Sequence, residues 1–514
     1  MTSEFKQGAS ALPSNLPCRH NKAGAVEWRQ IAQSVRTAGG RLLTLWGADD
    51  RDRNGRYRVY AAYLQAGGIA VVEHEMEAGA NPTYPSLREF FPSALRMERA
   101  IFDLLGIKSM EPDHRGWLRH SGWPEKVFPL RRDFDRNTRF AVVSESYPFV
   151  QVEGDGVHEI AVGPVHAGTI EPGHFRFSVV GEKVLRLEER LGYKHKGIEK
   201  LFETIGQKVG QTLAARISGD SAVAYTWAYC AALEAIAHTT CPARALQLRA
   251  LALEHERIAN HLGDLGALGN DAGFAFGLTQ FSRMKEDLLR TNLAYLGARY
   301  LMDFIAPGGV TADLPEEAPR LLLDHYHTLE TDVVGMRTIY DNHAGVQDRF
   351  RETGTLSQEN AWKLDAAGLP ARASGIPHDL RADFPWPPYD KLNVKVSMQT
   401  SGDVAARVAV RFDEVLESLR ICRALIANLS GGEIQCAVPD AEPGLLGVGV
   451  IESWRGPVLI ALETGSNGSI RRCHPHDPSW QNWPLLEYAI LGNLVPDFPL
   501  INKSFNLSYS GQDI

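Results

Sequence analysis

Apolar positions recur at helical spacing over residues 27–38 and at strand spacing over 41–46, where Gly47-Ala48-Asp49-Asp50 is expected to end the strand. Two more strands are predicted over 57–64 and 69–75, joined through Gln65-Ala66-Gly67-Gly68. A helix over 97–105 ends at Gly106, a residue suited to the left-handed cap. Residues 1–23 read as a flexible tail, and 135–155 as a polar connection. Alternation returns over 158–163, 174–180 and 183–187, with Gly181-Glu182 as a two-residue hairpin turn. From 200 to about 299 the period is helical, with Leu246, Leu248, Leu251, Leu253, Ile258 and Leu262 on one long helix and 281–300 on another. Further helix is predicted over 319–353 and 404–429, loops over 368–388, and a strand-and-loop tail.

The pattern gives an α+β chain: an N-terminal α/β domain over residues 24–137, then a mainly α-helical domain over 150–514 with a small antiparallel sheet. A length of 514 residues supports two or three domains. Hydrophobic residues at 44% and charged residues at 23% are globular values. The net charge of −8 argues against a nucleic-acid partner, which needs a basic face. No apolar run approaches the ~20 residues of a membrane-spanning helix, and residues 1–12 lack the apolar centre of a signal peptide. The expectation is a soluble, cytoplasmic chain, with docking onto a membrane assembly left open. Six cysteines (Cys18, Cys230, Cys241, Cys422, Cys436, Cys473) form no C-x-x-C pair, so a cysteine-bound cluster in this chain is not expected.

Glu98-Arg99, Asp103 and Gly106-Ile107, then Asp113-His114-Arg115, Trp123-Pro124 and Pro129-Leu130-Arg131-Arg132-Asp133-Phe134 form an ordered series. It resembles the small hydrophilic subunit of respiratory complex I over residues 25–135. Its charges are expected in interdomain salt bridges rather than in catalysis.

Gly163-Pro164-Val165-His166-Ala167-Gly168 precedes His174, and Gly192-Tyr193-Lys194-His195-Lys196-Gly197-Ile198-Glu199-Lys200 follows. Glu254-His255-Glu256-Arg257 with His261, Arg372-Ala373-Ser374-Gly375 with Asp379 and Arg381, and Glu452 with Arg455-Gly456 extend the series. These blocks resemble the large subunit of energy-converting [NiFe] hydrogenases of the formate-hydrogenlyase type, and its relative, the quinone-site subunit of complex I. The order of the two halves matches the fused formate-hydrogenlyase arrangement.

One departure decides the chemistry. Where that hydrogenase family carries R-x-C-G-x-C and a second C-x-x-C near the tail, this chain has Ser218, Ser221, Ser508 and Gly511. A hydroxyl or a hydrogen does not replace a thiolate toward nickel, so no metal is expected there. Complex I also lacks these cysteines and uses the cavity for a quinone headgroup. The resemblance therefore implies electron transfer from a [4Fe–4S] cluster in a partner iron–sulfur subunit to a quinone, as in NADH:quinone oxidoreductase, with membrane subunits completing the assembly.

Candidate proton-carrying residues are His166, Asp220 and Glu199; candidate contacts to the acceptor are His174, Tyr225, Arg216 and Arg372. Histidine suits the first role because it titrates near neutrality. His166 and His174 as turn histidines, Tyr225 as core, and Glu199 as a partner of Lys196 or Lys200 are the plain alternatives. Glu254, Arg257 and His261 share one helix face and suggest a buried polar network; His474 and His476 read as loop residues. No G-x-G-x-x-G follows a strand, so NAD is not expected to bind this chain. The rival functions are true hydrogenase activity, which the missing thiolates oppose, and a non-catalytic scaffold.

Overall fold

The computed structural model describes residues 9–120, 122–144, 146–166 and 170–514. Its first sheet has strands β1 (Ser10–Ala11), β2 (Cys18–Lys22), β3 (Arg41–Asp50), β4 (Arg56–Gln65) and β5 (Gly68–Glu77), ordered β1-β2-β5-β4-β3. β3, β4 and β5 form an antiparallel meander, and β2 joins parallel to β5 with Cys18 opposite Ile69. The flexible tail expected over 1–23 is thus corrected from Ser10 onward, while residues 1–8 lie outside the described set. The same segment reaches the second domain. Val448 N donates to Pro13 O at 2.9 Å, and the Asn15 amide exchanges two bonds with the Val450 backbone at 2.8 and 2.9 Å.

Gly47 does not break its strand: all ten residues of β3 are buried. A Cβ at Gly47 would lie 2.4 Å from Leu105 Cδ1, so the glycine admits a packing helix rather than a turn. Asp49 and Asp50 tolerate burial because Arg51 and the Arg132 amide reach the first, and Arg58 and Arg471 the second. Helix α1 (Ala25–Thr37) buries Trp28, Ile31, Ala32 and Val35, one face of the 3.6-residue period. Helix α2 (Ala94–Leu105) ends at Gly106 with φ +73°. From α2, Asp103 accepts the amides of Trp117, Leu118 and Arg119 and so fixes the irregular segment that follows.

The second domain opens with β6 (Val157–Val162), β7 (His174–Val180) and β8 (Lys183–Arg190), an antiparallel trio turning at Gly181. Its helical body is α3 (Ala222–Ile236), α4 (Ala243–Asp271), α5 (Ala275–Leu296), α6 (Ala318–Asn342) and α7 (Val404–Ala427). The helix expected over 319–353 is interrupted at His343, whose side chain caps a separate helix Ala344–Phe350. The 368–388 loops contain two short helices, Gly368–Ala373 and Leu380–Asp383. A three-stranded sheet β9 (Leu446–Ser453), β10 (Gly456–Thr464) and β11 (Ile470–His476) packs on α3; a Cβ at Gly449 would sit 1.9 Å from Ala228 O. The expected strand-and-loop tail is instead helical past His476, in α8 (Ser479–Ala489), α9 (Phe498–Phe505) and the turn Tyr509–Gln512.

One continuous apolar core spans both domains. Of the charges in the ordered series, Arg115 reaches Glu188 at 2.6 Å and Arg132 reaches Glu203 at 3.3 Å across the domains, while Asp103, Asp113 and Asp133 pair within the first domain with Arg119, Arg115 and Arg51. Other ion pairs also join the domains. Glu463 of β10 receives Arg53 at 2.7 Å and Arg58 at 2.8 Å, with Arg471 at 3.5 Å. Arg36 reaches Asp365 at 3.0 Å, and Arg96 bridges Glu189 and Glu487. Removing a carboxylate from such a cluster leaves buried cations unpaired. Glu463→Ala is expected to lower unfolding stability by about 3 kcal/mol, read as a shifted denaturant midpoint with an unchanged slope.

Candidate functional site

The four positions that lack cysteine converge. Loop 216–221 precedes α3 and is held from below by Lys196, whose ammonium donates to the Arg216 and Ile217 carbonyls at 2.7 and 2.9 Å. Ser218 Oγ lies 2.8 Å from Ser508 Oγ, although 290 residues separate them. Ser218 donates to Asp220 Oδ1 at 2.7 Å, and the Gly511 amide donates to Ser508 Oγ at 2.8 Å. The bonds run in one direction, from the Gly511 N–H through the Ser508 and Ser218 hydroxyls to the Asp220 carboxylate. Such a chain polarises each member.

Asp220 is the terminus of that chain and the partner of Arg455. The guanidinium donates to Oδ1 at 2.8 Å and Oδ2 at 2.5 Å, and also reaches Ser221 Oγ at 3.3 Å and Asn506 O at 2.6 Å. It therefore ties loop 216–221 to the tail through one planar fork. Burial pushes the Asp220 carboxyl up, but Arg455 and Ser218 outweigh it and hold it below its ordinary value. The side chain of Asp220 still keeps 38% of its exposure, against 4% for Arg455. Tyr225 donates to Asp477 Oδ2 at 2.7 Å, and burial followed by that carboxylate drives its own pKa well up, so it stays a hydroxyl.

Gly511 sits hard against this floor. A Cβ there would lie 2.5 Å from Asp477 Oδ2 and 2.9 Å from Ser508 Oγ. With hydroxyls bonded to each other and no thiolate, the donor set does not fit a nickel–iron centre. Among the described residues, no group of three or more His, Cys, Asp or Glu side chains is arranged to hold a metal.

The remaining predicted residues divide. His166 keeps Nε2 on Gly173 O at 3.1 Å, in a loop that packs on the tail: a Cβ at Gly173 would meet Tyr509 Cε1 at 2.6 Å, and Glu171 accepts the Ser510 amide at 3.0 Å. Residues 167–169 of that motif lie outside the described set. His174 stacks on Phe149 with ring centroids 5.0 Å apart. Arg216 forms a two-pronged pair with Asp303, both 45% exposed, and points to the surface rather than to Asp220. Arg372 is fully buried on Glu414 (2.7 Å) and Glu452 (3.1 Å), so the expected acceptor contact gives way to a salt-bridged core. That core is the network suggested by helix spacing: Glu254 takes Arg381, Tyr389 and Ser418, and His261 takes Glu414.

Glu199 does not pair with Lys196 or Lys200. It is buried beneath Arg472 and His474, each at 2.7 Å. Burial raises its pKa, yet the Arg472 charge and the His474 bond outweigh that and bring it to about 2. His474 and His476 lie on β11, not in a loop, and His474 Nε2 reaches Thr44 Oγ1 of the first domain at 2.9 Å.

Sequence reasoning missed Arg455, Asp477 and Glu256 as site residues. Glu256 accepts the Val223 and Ala224 amides at 2.7 and 3.2 Å, at the start of α3. Burial raises it to about 8 despite those bonds. Arg455 stood in the matched block of Glu452 with Arg455-Gly456 and Glu256 in that of Glu254-His255-Glu256-Arg257, which carried a signal; Asp477 had none and depends on contacts far apart in sequence.

Residues 22–139 match the family model of the respiratory-chain NADH dehydrogenase 30 Kd subunit, and residues 271–444 that of the 49 Kd subunit. Formate hydrogenlyase subunit 5 of Escherichia coli is 32% identical over 483 residues, covering 92% of this chain and 85% of the relative. The chain belongs to this family of fused complex I-like and hydrogenase-like oxidoreductase subunits. An NADH-quinone oxidoreductase C/D chain of Bacteroides fragilis is 30% identical over 427 residues, covering 76% of this chain and 78% of the relative. The fold is also similar to a chain of an archaeal respiratory membrane complex, the membrane-bound sulfane sulfur reductase. There the TM-score is 0.66 at 23% identity, covering 70% of this chain and 99% of that one.

Two measurements probe this family member's site. Gly511→Ala is expected to cost about 1–3 kcal/mol by overpacking, and combining it with Asp477→Ala should recover part of that loss in a double-mutant cycle. The folded pKa of Glu256 lies above its unfolded value of 4.5. The native state thus keeps a proton the unfolded chain has lost, and stability falls as pH rises from about 4.5 to about 8. Glu256→Gln should flatten that part of a denaturant-midpoint profile, by at most on the order of 3–5 kcal/mol across the window.

Proposed function

We propose that this chain is the acceptor-side subunit of a complex I-like assembly, receiving electrons from a [4Fe–4S] cluster in a partner iron–sulfur subunit and delivering them to a quinone. One observation carries the reading: the four positions that would hold thiolates come together around the Asp220–Arg455 pair, Ser508 and Ser218 as a two-hydroxyl chain fed by the Gly511 amide and Ser221 as a contact of Arg455. Kinship with NADH-quinone oxidoreductase C/D chains supports the same direction.

When bound, a quinone would take up two electrons and two protons. Arg455 keeps guanidinium N–H beyond those given to Asp220 and Asn506 and is the donor proposed for a carbonyl oxygen at this floor, the single protons of Ser218 and Ser508 being spent within the chain. His166 is the residue proposed to bring a ring nitrogen from the loop that packs on the tail. Its Nε2 is committed to Gly173, so Nδ1 is the atom that exchanges a proton. Asp220 and Glu199 are held ionised by Arg455 and by Arg472 with His474. They therefore act as anchors that fix the donors around them, and the stored proton near the floor belongs to Glu256. His174 and Tyr225 support the loop and the Asp477 floor. Arg216 and Arg372 hold the rim and the core.

Among the described residues, no helix is long and apolar enough to cross a membrane. In the proposed assembly the chain is peripheral on the inner face of the cell membrane, held by partner subunits, and any NADH is oxidised elsewhere.

The test is the complex purified through this chain with its iron–sulfur partner. Quinone reduction is expected, with nickel far below one per chain and no hydrogen evolution. His166→Ala with Asp220→Asn should lower kcat by about tenfold or more. Nickel near one per chain with hydrogen turnover would return the hydrogenase reading. An assembly that needs the chain yet turns over no acceptor would make it a scaffold.

A further inference from the structure

A cavity of about 380 Å³ opens beside the Asp220 loop, between α4, α5 and the segment after α5. This volume is in the range of small-molecule sites. Its walls come from two helix faces: Glu256 and Asn260, one turn apart on α4, and Lys285, Leu289 and Asn292 at i, i+4 and i+7 on α5. Ala259, Leu301 and Met302 supply apolar wall. Asn260 fixes the inner end, donating to Asp220 O at 2.8 Å, and Asn292 holds the outer segment through Arg299 O at 3.1 Å.

Three features single out Lys285. Its ammonium has no hydrogen-bond or ion-pair partner among the described residues, in a chain where most buried or half-buried cations are paired. It lies along Gly263, where a Cβ would come 2.9 Å from Nζ and 3.4 Å from Cδ. A glycine inside a 29-residue helix sacrifices about 1 kcal/mol relative to alanine, and here it makes room for the lysine stem. Third, the wall carries backbone strain. Leu301, 2% exposed, is held at φ +54°, two residues before Asp303 at φ +64°. Buried non-glycine residues in that region persist only where surroundings force them, and they cluster at functional sites.

The acidic side of the cavity does not oppose an anion. Asp220 is neutralised by Arg455, and Glu256 carries its proton. We propose that this cavity binds a small organic anion, its carboxylate or equivalent oxyanion on Lys285 and its apolar body against Ala259, Leu289 and Leu301. The bound molecule would lie against the Gly219–Asp220 backbone. This does not depend on the redox reading.

Benzoate titrated into the purified full-length chain tests it, with neutral benzamide of the same shape as control, read by ligand-observed NMR and calorimetry. Saturable benzoate binding is expected, with benzamide weaker. Lys285→Met should weaken benzoate by about tenfold or more and leave benzamide unchanged. Gly263→Val, which displaces the ammonium while keeping it, should weaken benzoate in the same sense. The proposal is overturned if benzoate does not saturate the wild type, if benzamide binds equally well, or if benzoate affinity survives both substitutions.

Discussion

The pairing of Asp220 with Arg455 is the constraint on which the site depends. A carboxylate beside two buried hydroxyls and a guanidinium tied to the Asn506 carbonyl are each costly alone. Together they satisfy one another and fasten the loop before α3 to the tail segment before Ser508. A single ion pair and a run of hydroxyl bonds make that connection.

Behind that floor lies a second polar layer, the buried network of Glu254, Arg257, Arg372, Arg381, Glu414 and Glu452. It meets the first through the backbone: Arg257 donates to the Glu452 and Ser453 carbonyls at 2.8 and 3.1 Å, just before Trp454 and Arg455. The orientation of Arg455 is thus inherited from α4. Buried ionic groups of this kind add little net stability but penalise any arrangement that leaves one unpaired. The site owes its geometry to that penalty.

Much of the fold was legible because local chemistry and packing agree. The period of α1, the Gly106 cap, the β4–β5 and β7–β8 hairpins and the long α4 follow from spacing. The failures share a cause. Gly47 looked like a turn but serves a close helix approach, and residues 10–22 looked polar and loose but pair with strands distant in sequence. Arg216 and Arg372 sat in the right blocks, yet partners at Asp303 and Glu414 turned them elsewhere. The family resemblance located the serine positions and the block that holds Glu256. It could not reveal Asp477, or that Glu256 receives the first amides of α3, because those contacts come from segments that meet only in three dimensions.

The crossing of residues 13–15 onto β9 bears on how the molecule is made. Asn15 and Val450 are separated by 435 positions, so the segment around Asn15 cannot complete its bonds until β9 has emerged. Contacts of such sequence separation are slow to close and late to form. The first sheet, with β1 on the outer edge of β2, can assemble early, but the seam that residues 13–15 make with β9 is sealed only after that strand has been synthesised. Until then the unpaired backbone of that segment stays accessible, which makes the nascent chain a natural client for chaperones.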